Sequence, residues 1–447
     1  MNIIRIREQI LEDSILKKEN SEYILPFIKD GEQFDYSFAK VKEKEYCLKI
    51  KREGDEIRVT NSYFVGLDWI AERQLAVQVF PKMNNDYEID YVKMLEDALC
   101  ASENYEHLNN LIAIDFKKAS IKIKQRQDIL GIFLITEYLN MLYRIVKRGL
   151  RKSFYLQENN LKNKVKGHTL VGKTVAKNLS KGKIADNYCS FQVYDIDTPE
   201  NRILKRALRF CVHLLALYSQ SGNFVQLTNM IRYITPYFDK VSDCFVNERY
   251  INEAKSNPIY REYANTVEIA KLIMRRYGYN ITLAGKEEIN TPPYWIDMSK
   301  LFELYVYQHL KKVFSEKGEV RYHAKVHYQE PDFLLKAWGE PYIVDAKYKP
   351  RYKSIGVYKD DAREVGGYAR LSGVYAHFGL DEETTLPIKC LVIYPDQDKK
   401  EYFTFNRSEE PLFDKVKGYV RFYKQGIRLP VITLLQENED CFPNYRR

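Results

Sequence analysis

The feature that most limits how this 447-residue chain can fold is the stretch from residue 298 to 394, where helical and strand-like hydrophobic spacing alternate. The spacing predicts a helix over Met298–Phe314 and strands over Val320–Tyr328, Asp332–Ala337 and Tyr342–Tyr348. A helix over Asp360–Phe378 and a strand over Ile388–Tyr394 follow. An α-β-β-β-α-β order calls for a sheet with helices laid on it. A β-rich tail, Tyr402–Leu435, comes after it, and the turn-rich Gly285–Pro293 marks a boundary before it.

Upstream, Tyr63–Leu67 and Leu75–Phe80 read as a hairpin closed by Pro81, and Tyr91–Leu111 is more helical. Residues 120–290 read as mostly helical. Ile129–Leu150 stops at Lys147, Arg148 and Gly149, and another helix opens with Thr198 as cap and Pro199 in the first turn. Phe224–Phe238 and Ile259–Tyr277 complete that region, and the polar, lysine-rich Gln157–Asn187 reads as a loop or arm. The expected organisation is a multidomain α/β protein: a β-rich domain over 1–115, a mainly helical middle domain with a basic arm over 116–290, and the α-β-β-β-α-β domain over 291–447.

Composition narrows the function classes. Hydrophobic residues make up 45% and charged residues 29%, a balance that supports a buried core rather than disorder. No apolar run approaches the ~20 residues needed to span a bilayer. The opening MNIIRIREQILEDS lacks the apolar stretch of a secretion signal, so a cytoplasmic location without membrane association is expected. The seven cysteines are scattered without a CxxC pair, which points to reduced thiols in the core rather than disulfides or zinc. The net charge is +9, but Lys117–Lys183 alone carries +14 and the remainder −5. Such a segment fits an anionic partner, nucleic acid first, or equally a solvated lysine-rich surface.

The sharpest chemical signal is Pro331-Asp332 followed by Asp345-Ala346-Lys347. Each acid borders an apolar strand, and strand alternation puts Asp345 and Lys347 on one face. If the two strands pair, two carboxylates and an ammonium converge at one sheet edge. Two carboxylates can hold Mg²⁺ with positions left for a phosphate and a water, and the metal polarises a phosphodiester. A lysine beside it can orient the water or stabilise the transition state. Glu303, the one acid within the apolar stretch Leu301–Leu304, is placed to support the metal shell. The alternative is structural: Asp332 and Asp345 cap strands, and Lys347 pairs with one of them.

Gly167–Thr174 spells GxxxxGK[ST]. A phosphate loop follows a buried apolar strand, whereas Asn159–Lys166 is polar and basic, so the match reads as coincidence. His323 and His327 fall on an expected strand, four residues apart, and the other histidines are isolated. That spacing sets the first two far apart along one face, so a metal pair is not expected, and no Ser-His-Asp or Cys-His arrangement stands out.

With these residues in view, the chain resembles the McrC family, the nuclease subunits of McrBC modified-cytosine restriction systems. The resemblance runs through Tyr63–Gly66 with Val79–Lys82, Gly149–Lys152 with Tyr155 and Gly167, Tyr188-Cys189, and Asp197–Lys205. It continues through Leu301–Glu303, Pro331–Phe333 and Asp345–Tyr348. It implies a PD-(D/E)XK restriction-endonuclease-like core, with Asp332 and Asp345 as Mg²⁺ ligands, Ala346 among the metal positions, Lys347 as catalytic lysine and Glu303 in support. It also implies double-stranded DNA as substrate and a hexameric AAA+ GTPase of the McrB kind as partner. That partner would bind the nucleotide and have its hydrolysis stimulated, while this chain binds none. One position departs from the family pattern: Glu364 stands where a glutamine is expected, in a helix carrying Asp361, Val365 and Tyr368. An acid there could add charge near the metal or face solvent. Two other classes stay open, a non-catalytic activator built on a nuclease scaffold and a nucleic-acid-binding NTPase using Gly167–Thr174.

Overall fold

The computed structural model describes residues 2–8, 14–16, 18–39, 44–81, 89–99, 107, 111–115, 117–124, 130–218, 224–243, 261–278, 288–349, 352, 356–381, 383, 386–399 and 403–431. They belong to two compact units, one made of 1–130 with 288–447 and the other of 131–287.

In the first unit a five-stranded sheet runs in the order β1 (Asn2–Arg7), β7 (Leu75–Phe80), β6 (Phe64–Ala71), β14 (Tyr294–Asp297), β8 (Ile112–Ile114). The expected β6–β7 hairpin is present, and β1 lies parallel to β7. A four-stranded antiparallel sheet has the order β2 (Ser14–Ile15), β5 (Glu56–Asn61), β4 (Lys44–Glu53), β3 (Gln33–Ala39), with α1 (Lys18–Ile24) alongside. A ribbon pairs β9 (Ile121–Lys124) with β13 (Glu288–Thr291). Alternation in β5 turns Ile57 and Val59 inward, where they join Ile4, Ile6, Leu48, Ile50, Val77 and Trp295 in one core. Each such buried side chain contributes roughly 1.5–3 kcal/mol. Gly66 is needed for close approach: a Cβ there would stand 2.1 Å from the Tyr294 carbonyl oxygen on β14.

The same unit carries a six-stranded mixed sheet, β15 (Val320–Tyr322), β16 (Phe333–Ala337), β17 (Glu340–Ala346), β18 (Lys389–Pro395), β20 (Phe422–Ile427), β19 (Asp414–Lys415). The helix α8 (Met298–Val313) precedes it, and packs against α2 (Tyr91–Leu99) as well as β15 and β17. The α8 N-terminus is capped by Asp297, whose Oδ1 accepts from the Lys300 amide at 2.9 Å. Between β17 and β18 the chain forms α9 (Lys359–Tyr368) and α10 (Ser372–Phe378), the crossover that parallel strands require. Leu334, Ile343, Val365, Val374, Cys390, Val392 and Phe422 make the core under those helices. On the α8 side, Tyr307 stacks on Phe333.

Two expectations change here. The strand expected over 320–328 ends at Tyr322, because His323, His327 and Tyr328 adopt left-handed φ values of 48°, 46° and 64°. The helix expected over 360–378 is broken into α9 and α10, with two weak helix formers, Gly366 and Gly367, in the last turn of α9.

The second unit is built from α3 (Leu130–Arg148), α5 (Pro199–Tyr218), α6 (Val225–Ile234) and α7 (Arg261–Gly278), with α5 packed on α7. It also holds a three-stranded sheet, β10 (Ser153–Lys162), β12 (Asp186–Asp195), β11 (His168–Thr169), and the short α4 (Val171–Lys177). The expected loop over 157–187 is therefore largely ordered, since β10 and β12 pair along ten residues despite their polarity. The Asp197–Lys205 segment is a folding device. Thr198 caps α5, and Arg202 donates twice to Asp197 at 2.8 Å. Buried Asn201 donates to the Arg151 and Ile196 carbonyls and accepts from the Tyr263 hydroxyl. Cys47, Cys189, Cys211 and Cys390 are buried free thiols; Cys100, Cys244 and Cys441 fall outside the described residues.

Candidate functional site

The β16–β17 hairpin sets the site. Its two-residue turn, Trp338-Gly339, has φ of 51° and 77°, the paired left-handed conformation that suits hairpin twist. That turn fixes the register Phe333↔Val344, so one step further Asp332 meets Asp345 and Ala346. The Ala346 amide donates to Asp332 Oδ2 at 2.9 Å.

Asp345 is the penultimate residue of β17, at the end away from the hairpin turn, and is 2% exposed. Strand alternation brings Lys347 to the same face, and its Nζ lies 2.9 Å from Asp345 Oδ2 and 3.1 Å from Glu364 Oε2 on α9. Tyr368 donates to the other oxygen of Glu364 at 3.0 Å, so this acid points at the lysine instead of only into solvent. Next to it, Lys349 pairs with Asp361 at 2.6 Å. Glu303, from α8, enters from the other side. Its Oε1 contacts His323 Nε2, while His323 Nδ1 lies 3.3 Å from Glu330 Oε1. One ligand atom each from Glu303, His323 and Asp332 lie within 4.8 Å of one another.

The electrostatics follow from crowding acids where water is scarce. Burial, then the neighbouring Asp345 and Glu303 carboxylates, raise the Asp332 pKa well above the usual carboxylate range. Burial likewise raises Asp345, against the lowering pull of Lys347. For Lys347, burial opposes the charge, but Asp345 and Asp332 outweigh it and hold the ammonium more firmly protonated than a free lysine. Glu364 is lowered overall, Lys347 overcoming the effect of burial. Burial and the Glu303 carboxylate push the Tyr322 hydroxyl far above its ordinary value.

Every residue singled out from the sequence around this motif is therefore brought together: Glu303, Asp332, Asp345, Ala346 and Lys347. His323 was missed. Its spacing to His327 suggested two distant strand positions, and nothing in the sequence announces the left-handed turn that swings it onto Glu303.

Gly167–Thr174 is arranged differently. Gly167 has φ 67°, and a Cβ on it would stand 2.4 Å from the Ser190 carbonyl oxygen and 2.7 Å from Phe191 Cβ; Gly172 has open space around it. Packing against β12 thus accounts for the first glycine without any phosphate. Lys173 pairs with Glu158 on β10, a strand whose described side chains are largely exposed.

The family described as McrBC 5-methylcytosine restriction system component matches residues 61–369. The chain belongs to that family. Both the DTPENR segment and the hairpin with its acids lie inside the matched region of this McrBC-family chain. No curated protein matches it. It is similar to a chain in a Thermococcus gammatolerans half-complex refined from a tetradecameric assembly of McrB AAA+ hexamers with bound McrC. The identity is 14%, covering 96% of this chain and 95% of that one, with a TM-score of 0.35. Similarity to a chain of the T. gammatolerans McrBC complex is 13% in identity over 70% and 88% of the two chains, with a TM-score of 0.29. No helix among the described residues is long and apolar enough to cross a membrane.

Proposed function

We propose that this chain is a divalent-metal-dependent DNA endonuclease subunit of the PD-(D/E)XK type. It would cut modified double-stranded DNA in a complex with a hexameric McrB-like AAA+ GTPase, whose hydrolysis it stimulates. The observation that carries the reading is the β16–β17 register, which joins Asp332 to the Ala346 amide and sets Lys347 beside Asp345. The order α8-β15-β16-β17-α9/α10-β18 around these residues supports the core assignment, and family membership supports the partner and the methylated substrate.

The residues fit a hard cation. Glu303, Asp332 and Asp345 bring more negative charge into a buried space than Lys347 neutralises, and the raised pKa values of Asp332 and Asp345 express that crowding. Asp332 and Asp345 would hold Mg²⁺, with Glu303 in support; Ala346 could contribute only its main-chain carbonyl. When bound, the ion polarises the scissile phosphodiester and lowers the pKa of a water. Lys347, permanently charged at neutral pH, acts by orienting that water and countering charge on the phosphate oxygens, not by taking a proton. Glu364 and Asp345 hold the ammonium from two sides, which fixes its position. Nucleotide chemistry is assigned to the partner.

The test is cleavage of a methylated plasmid by the chain together with its AAA+ partner, GTP and Mg²⁺. Double-strand cutting that stops when the divalent ion is chelated is expected. A chain that assembles and accelerates GTP hydrolysis, yet leaves methylated DNA intact with every divalent ion tried, would favour the activator reading.

A further inference from the structure

We propose that His323 is a metal ligand that, with Glu303 and Asp332, makes a mixed nitrogen–oxygen seat preferring Mn²⁺ to Mg²⁺. The inference rests on the nuclease reading above and concerns which cation that site takes. His323 leaves β15 at φ 48°, a conformation uncommon outside glycine, although histidine is among the residues enriched there. Its amide donates to the Asp332 carbonyl oxygen at 2.9 Å, so the turn is tied to the acid it faces. The imidazole is thereby laid against Glu303, and the three candidate ligand atoms lie within 4.8 Å. That is close to the roughly 4 Å that separates opposite ligands of one six-coordinate ion.

The far side of the ring completes the pattern. Nδ1 faces Glu330 Oε1 at 3.3 Å, the outer carboxylate that fixes the tautomer and orientation of metal-bound histidines. On binding, the ion would take the place of the proton shared between Nε2 and Glu303, which would leave to solvent, while Nδ1 stays beside Glu330. Asp345 Oδ2 is buried, 2.9 Å from the Lys347 ammonium. Mg²⁺ favours an all-oxygen octahedron, whereas imidazole suits first-row transition metals, so one nitrogen ligand shifts preference toward Mn²⁺.

The experiment titrates Mn²⁺ into the metal-free full-length chain and reads the bound ion by electron paramagnetic resonance, with electron spin-echo modulation reporting nitrogen coupling. Wild type should show coupling to one imidazole nitrogen. His323→Gln should lose it and weaken Mn²⁺ binding about tenfold or more, while Mg²⁺, read by competition, changes less. Glu330→Gln should keep the coupling but bind Mn²⁺ more weakly, which guards against a His323 variant that fails to fold. Mn²⁺ bound to wild type without nitrogen coupling, or no Mn²⁺ bound, would overturn the inference. The nuclease reading is judged separately, by Mg²⁺-dependent cleavage with the partner.

Discussion

Pro331–Lys347 and Gly167–Thr174 both match short patterns tied to phosphate chemistry, yet their surroundings differ in kind. Around the first, a tight hairpin turn, an antiparallel register and two flanking helices drive acids and a lysine into a buried space, and their pKa values shift in response. Around the second, a seven-residue helix and the largely exposed β10 leave Lys173 half exposed, paired with Glu158. The contrast teaches that a motif becomes chemically informative when the fold makes its residues pay desolvation together.

The contrast can be broken most forcefully at Lys347. Lys347→Ala is expected to lower cleavage by about a hundredfold or more while partner GTP hydrolysis is unchanged, measured on the same complex. Equal loss of both would mean that the lysine supports assembly instead of chemistry. In the other region the decisive residue is a glycine. Gly167→Ala should cost ~2 kcal/mol, from the left-handed φ and the collision with Ser190, and Gly172→Ala close to nothing, compared by denaturant melts. A phosphate loop would instead make both glycines matter for nucleotide binding.

A smaller effect is expected at Asp332. Its folded pKa lies above the unfolded one, so charging it costs more in the fold, and metal-free stability falls as pH rises above the carboxylate range of about 4. Asp332→Asn should therefore stabilise the metal-free chain by roughly 1 kcal/mol near pH 7. The gain should fade as pH is lowered toward 4, while cleavage is lost; thermal melts across pH read it. Smallest of all, Lys173→Ala should shift stability by less than about 0.5 kcal/mol and leave nucleotide binding, read by calorimetry, the same as in wild type.

Much of this was legible in the sequence because it depends on local period and on nearest strands. The helix at 298, the 332–337 and 342–348 strands, and the convergence of Asp332, Asp345 and Lys347 follow from alternation plus one hairpin. What stayed hidden depends on backbone turns and distant pairing. His323 reaches Glu303 only through a left-handed φ that no composition signals. Tyr294–Asp297 pairs with Phe64–Ala71 from more than two hundred residues away, and the polar 153–162 and 186–195 stretches pair with little apolar pattern to advertise them. Glu364, where the family pattern expects glutamine, is placed 3.1 Å from Lys347 by α9, a contact that the sequence does not show.

The most direct measurement follows cleavage of methylated DNA and GTP hydrolysis in one reaction, with the AAA+ partner and Mg²⁺, for wild type and Asp345→Ala. The account predicts that the variant still assembles and stimulates hydrolysis but no longer cuts. Cutting by Asp345→Ala at the wild-type rate would contradict it and place the nuclease centre elsewhere.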